Sequence, residues 1–421
     1  QENSLLNKIL GLGRKVIPKR IFKLAQPAYH WCLSMLGAVI YRFPSRSMRV
    51  VAITGTKGKS TVVYMISKIF EEQGEPVAAI GSLGFKIKNR TWPNTLKMTL
   101  PGRLKLQKFL YQAKKTGCEY VVLEATSEGI AQNRLAGVDI DCAVFTNLHR
   151  EHLESHGSFE NYLAAKQKLF LKTKNKHILN IDDPYFEKFA NYPVRTKITF
   201  GGKWGMITLL RSPISDLRLR LLGDFNVYNA LAALAAAYAY NFNMGKAVES
   251  LNSIESIPGR MEVIDAEFKS LKFKVVVDYA HTPDSLEAVY KSLKPRAKKL
   301  ICVFGAAGGG RDKWKRPEFG KIAARYCDKI ILTNEDPFDE EPEEILNQIE
   351  KGIPANNLMT SDITRLQKII DRKEAIQKSL ALASNGDVIA ITGKGSEISI
   401  AVAGGKKIPW SDKEVVLELL R

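Results

Sequence analysis

From residue 49 onward, short apolar runs rich in Val and Ile alternate with stretches of helical periodicity. RVVAITG (49–55) and PVAAIGS (76–82) are two such runs, and STVVYMISKIFEEQG (60–74) lies between them with helical spacing. Strands that alternate with helices form a mostly parallel sheet that is covered on both faces. This alternation predicts an α/β protein, and 421 residues allow roughly two or three domains.

The first run leads into the turn of VAITGTKGKSTVV, which resembles a phosphate-binding loop. A turn between a strand and a helix start can hold phosphate oxygens with its backbone N–H groups. Lys59 would neutralise phosphate charge, and Ser60 or Thr61 offers a hydroxyl to Mg²⁺. The usual pattern has its first glycine where this chain has Ile53, and the glycine here is Gly55. An ordinary tight turn is the alternative interpretation.

The strand–helix pattern restarts after Pro258 and Gly259, a pair typical of a boundary. We predict a central P-loop parallel-sheet ATPase domain over residues 49–258 and a C-terminal Rossmann-like α/β domain over residues 259–421. A short, basic and partly apolar helical segment over residues 1–48 precedes them. Many apolar runs end in polar residues, and ligands of open parallel sheets gather at the carboxyl ends of the strands.

Two segments outside the loop carry further candidate ligands. TNLHREHLESHG contains His149, His152 and His156, and these residues are as consistent with a metal or phosphate site as with structural roles. If His152 approaches Glu124 at the end of YVVLE, the two could hold Mg²⁺ beside the phosphates. Lys166 lies on a predicted helix, and its chemistry alone indicates no more than a surface lysine.

The net charge of +19 predicts attraction to polyanions, but it does not choose among nucleic acid, anionic lipid and phosphorylated substrates. Residues 1–50 contain many Lys and Arg and a single acid, Glu2. The apolar stretch PAYHWCLSMLGAVIYRF (27–43) is interrupted by His30 and Ser34 and is short for a membrane span. It is consistent with a helix packed on the body, an interfacial membrane helix or a signal peptide.

The five cysteines show no CxxC spacing. This pattern argues against zinc clusters and against a disulfide framework, and it fits a reducing cytosol. No basic motif interleaved with aromatic residues is present, so no nucleic-acid partner is expected.

Together and in order, several motifs resemble the Mur ligase family of ATP-dependent amide ligases of peptidoglycan synthesis, and within it the MurE branch of UDP-N-acetylmuramoyl-tripeptide synthetases. The motifs are TGTKGKST, LPGRLKLQKFL, VVLEATS, FTNLHREHLESHG, YLAAKQKLF, GDFNVYNALAA, PGRMEVI, VVDYAHTPDSLE, FGAAGGGRDKWKRP, TNEDPFDEEP and GKGSE. The family's loop has a short GTxGK[ST] form, so the resemblance explains Ile53.

The resemblance implies ATP, two Mg²⁺ ions and an N6-carboxylysine at Lys166, which reverses the interpretation of that residue from its chemistry alone. It implies catalytic roles for Lys59, Glu124, His152 and Lys166, and metal contacts from Ser60, Glu124, His152 and Lys166. It implies ATP contacts from Gly55, Thr56, Lys57, Gly58, Lys59, Ser60, Thr61, Asn226, Asn229, Arg260, Asp278 and His281. It implies amino-acid contacts from Arg311, Asp336, Pro337, Phe338, Gly393 and Glu397. It implies contacts to the muramyl peptide from Thr99, Thr126, Ser127 and Arg134.

The activity implied by the resemblance is addition of an amino acid to a muramyl-peptide carboxylate through an acyl phosphate. A ligase similar to folylpolyglutamate synthetase, or one that uses a non-UDP or lipid-linked substrate, is an alternative within the enzyme class. A nucleotide-dependent binding protein without catalysis is the alternative outside it.

Two departures from the family pattern qualify this expectation. Phe338 stands where diaminopimelate enzymes typically carry Arg, and it cannot pair a distal carboxylate. Only residues 1–48 precede the P-loop domain, so we expect the usual UDP-binding domain to be missing. We therefore expect a cytoplasmic monomer, with peripheral membrane contact through residues 1–48 as a hypothesis.

Overall fold

A computed structural model of the protein describes most of the chain. The described residues are 19–96, 98–151, 153–202, 216–310, 313–354, 359–360 and 363–421. His152 and Arg311 lie outside them, and so do residues 1–18 of the predicted N-terminal segment.

The described residues form two separate large sheets. The first has eight strands in the spatial order β4-β3-β2-β5-β1-β6-β7-β8. Its strands are β1 Arg49–Thr54, β2 Val77–Gly81, β3 Gly84–Ile87, β4 Arg90–Trp92, β5 Tyr120–Glu124, β6 Cys142–Phe145, β7 Lys176–Asn180 and β8 Thr196–Phe200. Every pair is parallel except those that join β3 to β2 and β4 at one edge.

Helices surround this first sheet. They are α1 Lys19–Ile40, α2 Lys59–Glu72, α3 Arg103–Lys115, α4 Ser127–Ala131, α5 Leu153–His156, α6 Phe159–Lys172, α7 Glu187–Ala190, α8 Asp224–Ala239 and α9 Met244–Asn252. In β1, Val51 and Ile53 pack with α2 and α8 on one face, while Val50 and Ala52 pack with α3 on the other. Burial on both faces explains why these strands read as continuous apolar runs.

The second sheet has six strands in the order β15-β12-β11-β16-β10-β9, and only β9 is antiparallel to its neighbour. Its strands are β9 Glu262–Phe268, β10 Leu271–Asp278, β11 Leu300–Phe304, β12 Lys329–Leu332, β15 Leu366–Lys368 and β16 Val388–Thr392. Two small ribbons pair β13 Met359–Thr360 with β14 Ile363–Thr364, and β17 Ser399–Ala401 with β18 Lys407–Pro409. The helices are α10 Pro283–Leu293, α11 Lys315–Tyr326, α12 Pro342–Glu350, α13 Arg372–Leu382 and α14 Asp412–Leu419.

The predicted α/β architecture, with a parallel-rich sheet and a second sheet, is confirmed. The second sheet also has an apolar layer on each face, one around Val276 and Leu286 and the other around Val277 and Ile376. The predicted boundaries after residues 48 and 258 stay predictions.

The structure corrects the expectation of an all-reduced chain. Cys302 in β11 and Cys327 after α11 are joined by a disulfide, with their Cα atoms 6.0 Å apart. They are 25 residues apart and form no local motif, and strand pairing with β12 is what brings Cys327 beside β11. Cys32, Cys118 and Cys142 are free thiols.

We call the first sheet with its helices the first domain, and the second sheet with its helices the second domain. The N-terminal helix α1 packs on the first domain, as one of the three interpretations of its sequence predicted. Ser34 Oγ donates a hydrogen bond to the carbonyl of Asn133 at 2.7 Å. A Cβ on Gly37 would lie 3.2 Å from Leu104 of α3, so α1 and α3 are in close contact. Within the described part of the chain, no helix has both the length and the apolar character needed to cross a membrane.

Candidate functional site

A cleft of about 1260 Å³ opens between the two sheets. Residues at or just past the carboxyl ends of strands from both sheets line it: Gly55, Ser82, Glu124, Thr146, Asn180, Asp278, Ala306, Glu335 and Gly393. The strand ends therefore meet in one space, as expected for open parallel sheets.

The predicted phosphate loop forms one wall of the cleft. Gly55 and Gly58 adopt φ values of 151° and 80°, which favour glycine. A Cβ would fall 1.9 Å from Thr146 Oγ1 at Gly55, and 2.2 Å from Asn229 Oδ1 at Gly58. Both positions thus exclude a side chain, and α2 begins at Lys59 directly after the loop.

Two lysines, the buried Lys166 and the partly exposed Lys59, share one acceptor in this loop. The Nζ atoms of Lys59 and Lys166 donate to the carbonyl of Gly55 at 2.9 and 2.7 Å, and Lys59 also donates to the carbonyl of Thr56. Burial, followed by repulsion from Lys59, lowers the pKa of Lys166 well below its ordinary value. Lys166 is therefore not the surface lysine that its chemistry alone indicated; it lies 4.6 Å above the ring of Tyr162.

Oxygen donors lie at the same end of the cleft. Glu124 is 1% exposed, and its carboxylate accepts a hydrogen bond from the backbone N–H of Ser82 at 2.6 Å. Ser60 lies in the first turn of α2, and its hydroxyl accepts a hydrogen bond from Arg260 of the second domain at 3.3 Å. No group of three His, Cys, Asp or Glu residues that could hold a metal occurs among the described residues, from which His152 is missing.

The predicted adenine-side residues also line the cleft. Asn229 donates to Asn226 Oδ1 at 3.0 Å, which fixes the two amides side by side on α8. Asp278 accepts from the backbone N–H groups of Met261 and Ala280, and burial raises its pKa. The guanidinium of Arg260 stacks 4.5 Å from the ring of Tyr279.

A charged cluster that the sequence did not predict links the two domains at the loop. Lys57 Nζ lies 3.5 Å from Glu151 and donates to the hydroxyl of Thr282, the residue that caps α10. Lys315 and His281, both from the second domain, lie 3.7 and 4.0 Å from Glu151. Desolvation in the cleft lowers the pKa of His281 to about 3, so its imidazole is neutral.

The opposite end of the cleft is an acidic network around one lysine. Lys394 is fully buried and donates to Asp336 Oδ1 at 2.9 Å and to the carboxylate of Glu397. Tyr279 donates its hydroxyl to Glu397 at 3.2 Å. Burial raises the pKa of the neighbouring Glu335 to about 7.

Other predicted amino-acid contacts surround this network. Phe338 lines the cleft with φ of 53°, its backbone N–H donates to the carbonyl of Ala401, and its ring packs near Gly309. Gly393 has φ of 107°, and a Cβ there would meet Glu335 at 2.4 Å. Pro337 does not line the cleft.

The predicted muramyl-peptide contacts Thr99, Thr126, Ser127 and Arg134 all line the cleft beyond Glu124. Thr126 caps α4, Ser127 contacts His156 at 3.1 Å, and Arg134 donates to the carbonyl of Leu100 at 2.8 Å.

Sequence reasoning missed several lining residues. Tyr162 bonds the hydroxyl of Thr56 at 2.8 Å, and Asn147 accepts from the N–H of Lys57 at 2.8 Å. Asn147 is one of the polar residues near the end of the predicted strand CAVFTNL (142–148), and that position was the available signal for it. Glu151 carried no local signal beyond its place in a histidine-rich segment.

Two family models match the chain. One, described as the Mur ligase middle domain, matches residues 53–237, and another, described as the Mur ligase, glutamate ligase domain, matches residues 259–395.

Curated relatives extend the match over nearly the whole chain. A UDP-N-acetylmuramoyl-L-alanyl-D-glutamate--2,6-diaminopimelate ligase of Syntrophomonas wolfei is 36% identical over 425 residues, covering 94% of this chain and 83% of the relative. A UDP-N-acetylmuramyl-tripeptide synthetase of Roseiflexus sp. is 36% identical over 433 residues, covering 95% and 83%. A solved structure of a UDP-N-acetylmuramoyl-L-alanyl-D-glutamate--2,6-diaminopimelate ligase is 32% identical to this chain, with a TM-score of 0.58. The match covers 89% of this chain and 78% of that one.

Proposed function

The chain belongs to the Mur ligase family, and on that premise we propose that it joins an amino acid to the carboxylate of a UDP-muramoyl peptide, with ATP as the energy source. Its homologues are MurE-type ligases that form C–N bonds in peptidoglycan synthesis. One observation carries the proposal at the level of the site: a phosphate loop, an acidic network and the ends of both sheets share one cleft.

The reaction has two steps. The peptide carboxylate attacks the γ-phosphorus of ATP, an O–P bond forms, the bond to the β,γ-bridging oxygen breaks, and ADP leaves. The amine of the amino acid then attacks the acyl carbon of the acyl phosphate, loses a proton, and inorganic phosphate leaves with the electrons of the C–O bond. The first step brings two anions together, so the site must neutralise charge.

The cationic residues of the loop meet this need. Lys59 and Lys166 both donate to the carbonyl of Gly55, and Lys59 also donates to the carbonyl of Thr56. We propose that phosphate oxygens replace that carbonyl as the partner of Lys59, while the N–H groups at the start of α2 bind the β- and γ-phosphates. Arg260 reaches the same point from the second domain and would couple phosphate binding to closure of the cleft.

The donors present fit Mg²⁺. A hydroxyl at Ser60 and a buried carboxylate at Glu124 are hard oxygen ligands, and Mg²⁺ is usually bound by one or two carboxylates together with substrate phosphates. Bound there, Mg²⁺ would supply charge neutralisation at the transferred phosphoryl group. We propose two ions, with His152 as a further ligand.

An N6-carboxylysine at Lys166 is part of the proposal. Burial lowers the pKa of Lys166, which favours the neutral, nucleophilic form of its amine. The amine nitrogen would attack the carbon of CO₂, an N–C bond would form as one C–O π bond breaks onto oxygen, and a proton would leave, so a neutral amine becomes an anionic carbamate beside the metal site. A carbonyl-carbon NMR signal from labelled bicarbonate that is absent in Lys166→Arg would support this modification, and its absence from the wild-type protein would contradict it.

We propose that the added amino acid is not diaminopimelate. The side chain that faces the cleft at the relevant position is the aromatic ring of Phe338, which offers no donor to a distal carboxylate. The Lys394 network already places two carboxylates, Asp336 and Glu397, around one cation, which disfavours a further anion. This choice separates the chain from the Syntrophomonas relative, whose name specifies diaminopimelate.

We further propose that the protein is a monomer and that it lies in the cytoplasm, where ATP and the muramyl substrate are found. The disulfide between Cys302 and Cys327 does not line the cleft, so the proposed reaction does not require it. Contact with the membrane through the N-terminal segment belongs to the same proposal.

A phosphate-release screen tests the proposed function. Each amino acid is supplied with ATP, Mg²⁺ and either UDP-muramoyl dipeptide or its lipid-linked analogue. We expect phosphate release that requires both acceptor and amino acid, and none with diaminopimelate. Release with glutamate on folates alone would replace this function with that of a folylpolyglutamate synthetase, and ATP binding without release under any combination would favour a nucleotide-dependent binding protein.

A further inference from the structure

A surface formed by two helices of the first domain presents large apolar side chains to solvent, and none of these side chains lines the cleft. We call it the α1–α3 face, and its exposed apolar residues are Trp31, Leu36, Val39 and Ile40 of α1 with Leu104 and Tyr111 of α3. The four residues of α1 are each 50–58% exposed, although α1 is otherwise packed on the domain. Single exposed apolar residues are ordinary, but a contiguous group marks an interaction surface.

The polarity of α1 is inverted relative to a usual surface helix. Its inward side consists of small residues, and Ser34 and Ala38 are fully buried. Gly137 approaches so closely that a Cβ on it would fall 2.5 Å from Ala38. Small residues let α1 lie close to the domain, and they leave the large apolar side chains on the outward side. This packing on Asn133 and Gly137 sets the orientation of α1, so its large apolar side chains point to solvent.

Within α1 and α3 themselves, every charged residue is basic. The sequences of α1 and α3 contain no Asp or Glu. On α3, Leu104, Lys108, Tyr111 and Lys115 follow helical spacing, so the exposed Lys108 and Lys115 lie on the same stripe as the two apolar residues. At the end of α1, exposed Arg42 adds to this border.

We propose that the α1–α3 face binds the surface of an anionic phospholipid bilayer, with α1 lying in the plane of the interface. Interfacial helices bury an apolar side among the headgroups and use basic residues to attract anionic lipid. Trp31 and Tyr111 have the amphipathic rings that favour the membrane–water boundary. The ligase would thereby work at the membrane surface while its cleft stays open to water.

Charge argues against a second copy of the chain as the occupant of this face. Two such faces brought together would place lysines and arginines against one another, with no acid on either α1 or α3 to pair them. An anionic bilayer complements the same charges, and this is the observation that selects lipid.

Vesicle co-sedimentation of the full chain tests the proposal. The vesicles are phosphatidylcholine alone or phosphatidylcholine mixed with phosphatidylglycerol. We expect binding to the anionic vesicles, weakened by added salt. The double variant Lys108→Glu/Lys115→Glu should bind more than about tenfold more weakly. Each basic residue near an anionic surface raises the binding constant about fivefold, and the variant loses two of them. The triple variant Leu36→Gln/Val39→Gln/Ile40→Gln should also lose binding.

Matched controls come from exposed residues elsewhere. Leu171→Gln and Ile408→Gln remove apolar side chains that are 54% and 51% exposed, and they should leave vesicle binding unchanged. Lys246→Glu/Lys351→Glu makes the same charge change at exposed positions away from the α1–α3 face. All variants should keep the ATP-dependent phosphate release measured in solution, because none of the altered residues lines the cleft.

Two results would overturn the proposal. One is equal vesicle binding by the wild-type chain and the α1–α3 variants. The other is self-association of the wild-type chain in sedimentation velocity that the triple variant abolishes, without vesicle binding, because it would assign the face to a second copy. Since the surface lies outside the cleft, failure here leaves the proposed ligase activity untouched.

Discussion

The two ends of the cleft bury lysines in opposite ways. We call the end of the cleft at the loop the phosphate end, and the end at the Lys394 network the amino-acid end, after their proposed ligands. At the phosphate end, Lys59 and Lys166 donate to the carbonyl of Gly55, and burial lowers the pKa of each. At the amino-acid end, burial acts against the charge of Lys394 too, but Glu397 and Asp336 outweigh it and raise its pKa.

This difference indicates which end of the cleft gains more electrostatic energy from binding a ligand. At the phosphate end, Lys59 and Lys166 donate to backbone carbonyl oxygens, which are neutral acceptors, so an anionic ligand gains most there. At the amino-acid end, Lys394 is already paired with Asp336 and Glu397. We call this network, together with Glu335, the frame, because its internal contacts fix the shape of that end. We infer that ATP binding supplies most of the electrostatic energy of the site, and that the frame supplies shape.

The strongest test removes the cation at the phosphate end. Lys59→Ala should lower ATP-dependent phosphate release about 10³-fold, because one preorganised charge donor at a developing anion contributes that much. The control is Lys68→Ala, also on α2, where the lysine pairs with Glu72 at the surface. A loss below tenfold for Lys59→Ala, or an equal loss for the control, would show that the phosphate end does not depend on this charge.

Removing a lysine from each end should change stability differently. Lys394→Met leaves the carboxylates of Asp336 and Glu397, which are 14% and 40% exposed, without their cation and should lower the free energy of unfolding by about 2 kcal/mol. Lys166→Met removes an amine that folding already forces towards neutrality, and should change it by less than about 1 kcal/mol in the unmodified protein. Urea unfolding at neutral pH measures both values, and equal losses would remove the contrast between the two ends.

The pH dependence of stability tests the frame at Glu335. Burial raises its folded pKa to about 7, above an unfolded value of 4.5, so the folded state holds the proton more tightly. Its stabilising contribution is complete below the unfolded pKa and is lost as the pH rises through about 7. Relative to Glu335→Gln, the wild-type protein should lose about 2 kcal/mol between pH 5 and pH 8. The free energy of unfolding, measured by urea titration at each pH, is compared for the two proteins. If the two values change in parallel with pH, the pKa of Glu335 is not raised by burial and the prediction fails.

The smallest effect concerns the link between the phosphate end and the second domain. Lys57→Met removes the contacts to Thr282 and Glu151 and should raise the KM for ATP about fivefold with little change in kcat, since one hydrogen bond and one partly exposed ion pair are lost. Lys86→Met breaks a similarly exposed pair within one domain and serves as the control. An unchanged KM would mean that the cluster does not assist closure.

Local motifs made the phosphate end predictable. Gly55, Gly58 and Lys59 adjoin one another in sequence, and a strand, a turn and a helix start suffice to define their geometry. The role proposed for Lys166 came only from the resemblance, because nothing in its own helix shows that the side chain reaches Gly55 across the sheet.

Only part of the amino-acid end could be predicted from the sequence. Asp336 and Glu397 were predicted by resemblance, but Lys394, which joins them, was not. Arg372 was not expected either, although it pairs with Asp412 at 2.8 Å and donates to the carbonyl of Asn334, which holds the strand ends that carry the network. Such contacts join segments far apart in the chain and leave no periodic signal.

The sequence by itself determined the alternating strands and helices, the phosphate loop and the family, because each is written in neighbouring residues or in an ordered set of motifs. The tertiary structure decided which charges meet. It set Glu151 between cations of two domains, paired Cys302 with Cys327 and turned the large apolar side chains of α1 outward. Burial and pairing depend on distance in space, and packing sets that distance between residues that the chain itself keeps far apart.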